Sequence, residues 1–196
     1  MSIINPFALF CALCITSYWG TVVIKVIRIT AKIGKSPNVI PKESLGYLSR
    51  AIMLPLVILW IAFPWQAAFT TAIISSKLGW MGAVICFVSY LLTLYCWHYM
   101  GSSWRIGIDP KEKNKLITDG PFKHIRHPIY ALSMLMMLGS LLCLQTVTML
   151  VLFVIHWFLF TLEAVREERY LVKTYGDTYQ DYMKHTNRFL PRSRCL

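Results

Sequence analysis

The longest uncharged stretch of this chain sets the strongest limit on its fold. From Ile129 to Leu162 there are 34 residues without one Asp, Glu, Lys or Arg. A helix needs about 17–25 apolar residues to cross a bilayer, so this stretch is too long for one span and just long enough for two. We expect a turn near Cys143–Val147, which would make the two helices antiparallel neighbours whose outer ends return to the same side.

Composition extends this interpretation to the whole chain. Hydrophobic residues make up 56% of it, charged residues only 15%, and the mean hydropathy is +0.52. Soluble domains carry about 25% charged residues. Three further apolar stretches precede the long one: Ile3–Val26, Leu45–Trp65 and Gly79–Met100. The sequence therefore predicts an all-α integral membrane protein with about five transmembrane helices, followed by cytoplasmic C-terminal helices.

The distribution of charge predicts an orientation. The formal net charge is +11, and with five spans 19 of the 20 Lys and Arg residues fall on one side, with only Lys77 opposite. The positive-inside rule makes the basic side cytoplasmic and places the N-terminus outside. Because the basic residues flank the spans without base-stacking aromatic patterns, we expect anionic membrane lipid as their partner and no nucleic acid.

Metal binding is not indicated by the sequence. Five of the six cysteines lie in apolar stretches, where small buried packing residues are expected. His124 and His127 are three residues apart, but no second H-x-x-H and no nearby cysteine accompany them. We therefore expect no metal site.

A dense polar cluster, KHIRHPIY (Lys123–Tyr130), stands directly before the long apolar stretch. Pro128 suits the first position of a helix, where its missing N–H costs nothing. The free N–H groups at such a helix end favour a carboxylate or a phosphate. The plainer alternative, equally weighted from spacing alone, is that Lys123 and Arg126 are juxtamembrane anchors and that His127 caps the helix.

A second polar cluster, EAVREERY (Glu163–Tyr170), follows the apolar stretch. Glu163 and Glu167 are four residues apart and share one helical face, whereas Glu168 is rotated by about 100° and is expected on a solvated face. Alone, the cluster is most simply a charged helix. In an antiparallel hairpin, however, it meets the first cluster, and together they predict a pocket for a zwitterion with a carboxylate and an ammonium group.

Two longer segments carry a family resemblance. LITDGPFKHIRHPIY, followed by EERYLVKTYGDTYQDYMKHTNRFLP, resembles the isoprenylcysteine carboxyl methyltransferase family, whose relatives include membrane phospholipid methyltransferases. The resemblance covers Lys115–Pro191. It implies three N-terminal spans with a basic cytoplasmic linker over 1–100 and a catalytic region over 101–196. It also implies a multi-pass protein of a cell inner membrane or endoplasmic reticulum, with its active site facing the cytoplasm.

The activity implied by this resemblance is methyl transfer from S-adenosylmethionine, without a metal, to a lipid-like or prenylated acceptor. The acceptor expected first is the carboxylate of an isoprenylcysteine-type substrate. The resemblance implies a cofactor site formed by Asn114, Lys115, Leu116, Ile117, Phe122, His127, Pro128, Tyr130 and Glu167. Glu167 would bind the methionine ammonium, and Phe122, where the family often has Tyr, would pack on the nucleoside.

The implied acceptor site departs from the family pattern. Glu163 stands where the prenylcysteine enzymes have a substrate-binding Arg, and Arg166, near the same helical turn, is the candidate to replace it. We therefore assign Glu163 and Arg166 as catalytic candidates, with Glu163 as a general base if the acceptor is an amine, thiol or hydroxyl. Three alternatives stay open: a phospholipid or small-amine N-methyltransferase, a non-catalytic lipid-binding membrane protein, and a nicotinamide-dependent membrane reductase.

Overall fold

The computed structural model describes residues 4–40, 44–70, 75–108 and 116–192. Six α-helices account for most of them: α1 Pro6–Ile33, α2 Ser44–Thr70, α3 Ser76–Met100, α4 Pro128–Leu144, α5 Val147–Tyr175 and α6 Asp177–His185. Two short 3-10 turns, Gly101–Ser103 and Gly120–Lys123, lie between α3 and α4. The protein is an all-α integral membrane protein, as its composition predicted.

Four of these helices, α1, α2, α3 and α5, are long and apolar enough to cross a membrane, and α4 is a shorter apolar helix. The expected hairpin is present, with its turn at Gln145 and Thr146. Gln145 adopts a left-handed conformation, with φ 51°, and its N–H donates to Leu141 O over 2.7 Å. The Thr146 side chain accepts from the Met149 N–H and caps α5. Helix α5 then continues as far as Tyr175 and carries the second polar cluster.

Close contact between α3 and α4 fixes the position of the hairpin. A Cβ atom on Gly82 would stand 2.5 Å from the carbonyl oxygen of Gly139, and a Cβ on Gly139 would stand 2.8 Å from the carbonyl oxygen of Gly82. Neither position therefore accepts a side chain without separating the backbones. Small residues allow this close approach between membrane helices, where dispersion contacts replace the hydrophobic effect as the driving force.

Three cysteines meet beside this contact. Cys11, Cys86 and Cys143 come from α1, α3 and α4, are buried, and have Sγ atoms within 4.8 Å of one another. The Cys86 thiol donates to Met136 O over 3.4 Å, and the Cys143 thiol donates to Gly79 O over 3.7 Å. Three sulfur atoms this close have the number and spacing of soft-metal ligands. We interpret them as packing residues, because two of the thiols use their protons in hydrogen bonds to the backbone.

A single glycine forms the junction between α5 and α6. Gly176 both ends α5 and caps α6, and Asp177 is the first residue of α6. Gly176 turns the chain within one residue because its φ of 56° suits a residue without Cβ. Its carbonyl oxygen accepts from the N–H groups of Tyr179 and Gln180. Tyr179, 1% exposed, then anchors α6 on the body of the protein.

Candidate functional site

A cavity of about 740 Å³ lies where α4 begins and where α5 carries its charged residues. A volume of this size is typical of small-molecule sites. Eight of the predicted site residues line it: Leu116, Ile117, Phe122, His127, Pro128, Tyr130, Glu163 and Glu167. Arg166 does not line the cavity, although it contacts Glu163, which does. Asn114 and Lys115 lie outside the described residues.

Tyr130 and Glu167 join the two polar clusters across the hairpin. The Tyr130 hydroxyl donates to Glu167 Oε2 over 3.1 Å, and His127 Nδ1 lies 3.8 Å from the same oxygen. The ring of Tyr130 is stacked between His127, with centroids 5.4 Å apart, and Phe160, with centroids 5.5 Å apart. This stack fixes the phenol, and the phenol in turn orients the carboxylate of Glu167. The predicted proximity of the two clusters is confirmed.

Glu168 corrects the expectation of a solvated side chain. It is 4% exposed, and its carboxylate lies 2.8 Å from Arg126 Nε and 2.6 Å from Arg188 Nη2. His127 Nε2 is 3.3 Å from the same carboxylate. Glu168 is rotated by about 100° from Glu167 around the axis of α5. The C-terminal segment folds back over this face of α5, so Glu168 is buried. The Arg126 side chain is therefore paired with Glu168 and does not serve only as a juxtamembrane anchor.

Backbone pairing holds the C-terminal segment in this place. The Arg126 N–H donates to Asn187 O over 2.9 Å, and the His127 N–H donates to Arg188 O over 3.0 Å. Tyr182 adds a side-chain hydrogen bond from its hydroxyl to Phe122 O. The loop before α4 is thus shaped by residues that follow α6. A sequence signal for this arrangement is Arg188, which lies near the end of the second segment that carries the family resemblance.

Both oxygens of the Glu163 carboxylate accept hydrogen bonds at the other side of the cavity. Its Oε2 accepts from Arg166 Nη2 over 2.6 Å, and its Oε1 accepts from the hydroxyl of Ser49 on α2. Arg50, the next residue of α2, also lines the cavity. Sequence reasoning missed both α2 residues, although a charge inside an apolar stretch, as at Arg50, is a signal of a functional position.

Another part of the cavity wall is apolar and reaches the lipid-facing surface. It is formed by residues of α1 and α2: Val22, Val23, Val26, Met53, Leu54 and Val57. Val23 is 57% exposed and Leu54 is 58% exposed, so the cavity opens between these two helices. One cavity therefore presents charged and aromatic groups at one end and an apolar opening at the other.

Comparison with known proteins decides the family. A sequence profile of phospholipid methyltransferases matches residues 78–178, which is just over half of the chain. The chain belongs to this phospholipid methyltransferase family. The matched part contains α4, α5, nearly all of α3 and the first residues of α6, and with them His127, Tyr130, Glu163 and Glu167. Helices α1 and α2 precede it.

Individual proteins are also similar to part of this phospholipid methyltransferase family member. Protein-S-isoprenylcysteine O-methyltransferase of Schizosaccharomyces pombe is 34% identical over 77 residues, which are 39% of this chain and 33% of that protein. Nickel-cobalt-cadmium resistance protein NccN of Alcaligenes xylosoxydans xylosoxydans is 24% identical over 94 residues, 47% of this chain and 44% of that protein. The chain thus matches less than half the length of each of these relatives.

Proposed function

We propose that this protein is an S-adenosylmethionine-dependent methyltransferase that acts at the membrane on a lipid-like acceptor. The first candidate acceptor is a carboxylate of the isoprenylcysteine type. The observation that carries the proposal is the single cavity that joins the Glu167–Tyr130 pair to an apolar opening between α1 and α2. Family membership supports methyl transfer, and the name of the Schizosaccharomyces pombe relative supports the acceptor class.

The residues at the polar end of the cavity fit S-adenosylmethionine. Glu167 offers a carboxylate, oriented by Tyr130, for the ammonium of the methionine moiety. The faces of the Tyr130 ring are occupied by His127 and Phe160, so Tyr130 contributes through its hydroxyl. The largely buried Phe122 suits the nucleoside. Leu116, Ile117, His127 and Pro128 complete this part of the wall, and we assign Asn114 and Lys115 to the same site from the resemblance. When bound, the cofactor supplies an electrophilic methyl group.

The contribution of the protein to the reaction is mainly positional. Methyl transfer is an in-line displacement, so the acceptor atom must be held about 3 Å from the methyl carbon, and holding it there supplies most of the rate enhancement. Glu163 and Arg166 lie next to the cofactor residues on α5, bridged by a 2.6 Å hydrogen bond. Glu163 lines the wall that faces the reacting end of the acceptor, and Arg166 holds its carboxylate in place. The aliphatic walls keep water from the methyl group.

A carboxylate acceptor agrees better with the hydrogen bonds of Glu163 than an amine acceptor does. An amine acceptor must lose a proton to a base. Besides Glu167, the only carboxylate of the described cavity wall is Glu163. The two oxygens of Glu163 already accept hydrogen bonds from Ser49 and Arg166. A carboxylate needs no base because it reacts in its ionised form. A phospholipid or small-amine N-methyltransferase is therefore the second candidate. In either case, we place the active site on the cytoplasmic side of an inner membrane or endoplasmic reticulum.

The test begins with binding to detergent-solubilised protein. Isothermal titration should show one site for S-adenosylhomocysteine and none for NADPH. Transfer of a radiolabelled methyl group should then occur to N-acetyl-S-farnesylcysteine and not to phosphatidylethanolamine. Folded protein that binds neither S-adenosylhomocysteine nor NADPH would support the non-catalytic lipid-binding alternative. Binding of NADPH alone would support the reductase.

A further inference from the structure

Arg50 is a charged residue within α2, one of the four long apolar helices. Ionisable groups inside membrane helices are costly and mostly serve a function. A guanidinium has five N–H donors, but within the described residues Arg50 makes a single hydrogen bond, from Nη2 to Ile106 O over 3.4 Å. That distance is long for a hydrogen bond. Arg50 therefore retains donors for a ligand on the cavity wall.

The neighbouring carboxylate does not use these donors. Glu163 receives its hydrogen bonds from Arg166 and from Ser49, the residue next to Arg50. The other charged or titratable groups that interact electrostatically with Arg50 are Tyr130, Glu163 and Arg166. Glu167, farther along the wall, is engaged with Tyr130. A guanidinium that lines a largely apolar cavity without a carboxylate of its own favours an anionic ligand.

The backbone next to Arg50 leaves room for such a ligand. Gly107 lines the cavity with φ +73°, and a Cβ atom on it would stand 3.7 Å from Arg50 Nη2 and 3.9 Å from Arg166 Nη2. Both guanidinium groups therefore border the space that a side chain at this position would occupy. A ligand carrying oxygen atoms can approach there beside the pair formed by Glu163 and Arg166.

We propose that Arg50 is the specificity-determining residue of the acceptor site and binds the anionic oxygen group of the lipid-like acceptor. This proposal rests on the proposed methyltransferase function, because the cofactor site defines where the methyl group lies. In the reaction, a carboxylate oxygen forms a bond to the methyl carbon while the bond from that carbon to sulfur breaks, and its electron pair stays on sulfur. No proton moves. The product ester is neutral, so it loses its ion pair with Arg50, which favours release.

The test compares two acceptor analogues on the full-length protein saturated with S-adenosylhomocysteine. N-acetyl-S-farnesylcysteine carries the carboxylate, and its carboxamide has the same shape without the charge. A charge-assisted hydrogen bond corresponds to a preference for the carboxylate of about ten- to a hundred-fold. Arg50→Gln should reduce this preference to about three-fold or less, and Arg50→Lys should restore part of it. Each variant should bind S-adenosylhomocysteine as the wild type does.

Arg28→Gln is the matched control, because Arg28 is an exposed arginine of α1 outside the cavity wall. It should keep the full preference. A preference that survives in Arg50→Gln overturns the proposal, and so does a wild type that binds both analogues equally. If Arg50→Gln weakens binding of phosphatidylethanolamine and not of the farnesylcysteine, the anion is a phosphate and the carboxylate assignment is wrong. Failure of the wild type to bind S-adenosylhomocysteine contradicts the proposed function instead.

Discussion

The Tyr130 hydroxyl donates to Glu167 across the hairpin of α4 and α5, over 3.1 Å. The two residues are 37 positions apart in sequence, and the tight turn at Gln145 and Thr146 brings them together. The pair connects the first polar cluster to the second at the wall of the cavity. It is the structural basis for the cofactor site that we propose.

Glu167→Gln should weaken binding of S-adenosylhomocysteine by one to two powers of ten. The change keeps the shape of the side chain and removes its charge, and a hydrogen bond to a charged group contributes about 1.5–3 kcal/mol. Isothermal titration at one fixed salt concentration measures the effect. Asp181→Asn removes a charge from the exposed face of α6 and serves as the control. Equal affinities for Glu167→Gln and the wild type would remove Glu167 from the proposed site.

Glu168→Gln should lower the stability of the protein, with a loss of about 3 kcal/mol. It leaves Arg126 and Arg188 without their carboxylate, and breaking a buried ion pair by removing one partner is strongly destabilising. Thermal unfolding in detergent measures the shift. Arg188→Gln in the Glu168→Gln background should add little, because both residues belong to one network. An unchanged melting temperature for Glu168→Gln would contradict a stabilising role for this carboxylate.

Gly82→Ala should destabilise the contact between α3 and α4 by about 1–3 kcal/mol, as overpacking does. Its new methyl group would meet the backbone oxygen of Gly139 at 2.5 Å, and a backbone atom cannot rotate away. Gly20→Ala is the matched control, since a Cβ atom there has no neighbour within 4 Å among the described residues. Thermal unfolding should separate the two variants clearly. Similar melting temperatures would show that the helices can move apart at little cost.

Alkaline unfolding should depend on Tyr182. Burial raises the pKa of its phenol to about 12, whereas an unfolded tyrosine titrates near 10. The folded state therefore favours the protonated phenol, and this contribution to stability is complete below pH 10 and is lost as the pH rises toward 12. Between pH 10 and 12, the melting temperature of the wild type should fall more than that of Tyr182→Phe. Parallel curves would contradict this assignment.

Labelling should place Lys77 and Lys123 on opposite sides of the membrane. The prediction follows from the 19-to-1 distribution of basic residues. Single cysteines at these two positions, in a background without reactive thiols, can be tested with an impermeant maleimide on intact cells and on inverted vesicles. Only the cysteine at position 77 should react from outside. Reaction of both from the same side would require a different number of spans.

The sequence predicted the helices well because apolar length is a local property. The uncharged stretch predicted the hairpin and its turn to within a few residues, and the two polar clusters predicted the polar end of the cavity. The environment of Glu168 could not be read in the same way. Helical periodicity gives the angle between Glu167 and Glu168, but it does not say that Arg188 returns from beyond α6 to cover one of them. For the same reason Ser49 and Arg50, on a distant helix, were missed.

The length of α4 affects the surrounding lipid. Its 17 residues extend for about 25 Å, whereas the hydrocarbon region is about 30 Å thick. If the Leu144 end of α4 lies at the opposite membrane surface, its His127 end lies below the average level of the headgroups unless the bilayer thins around it. Such hydrophobic mismatch has a free-energy cost that depends on acyl-chain length. Host membranes with shorter acyl chains would bring headgroups and aqueous solvent closer to the polar end of the cavity. Bilayer thickness would then itself set how readily a water-soluble cofactor reaches Glu167.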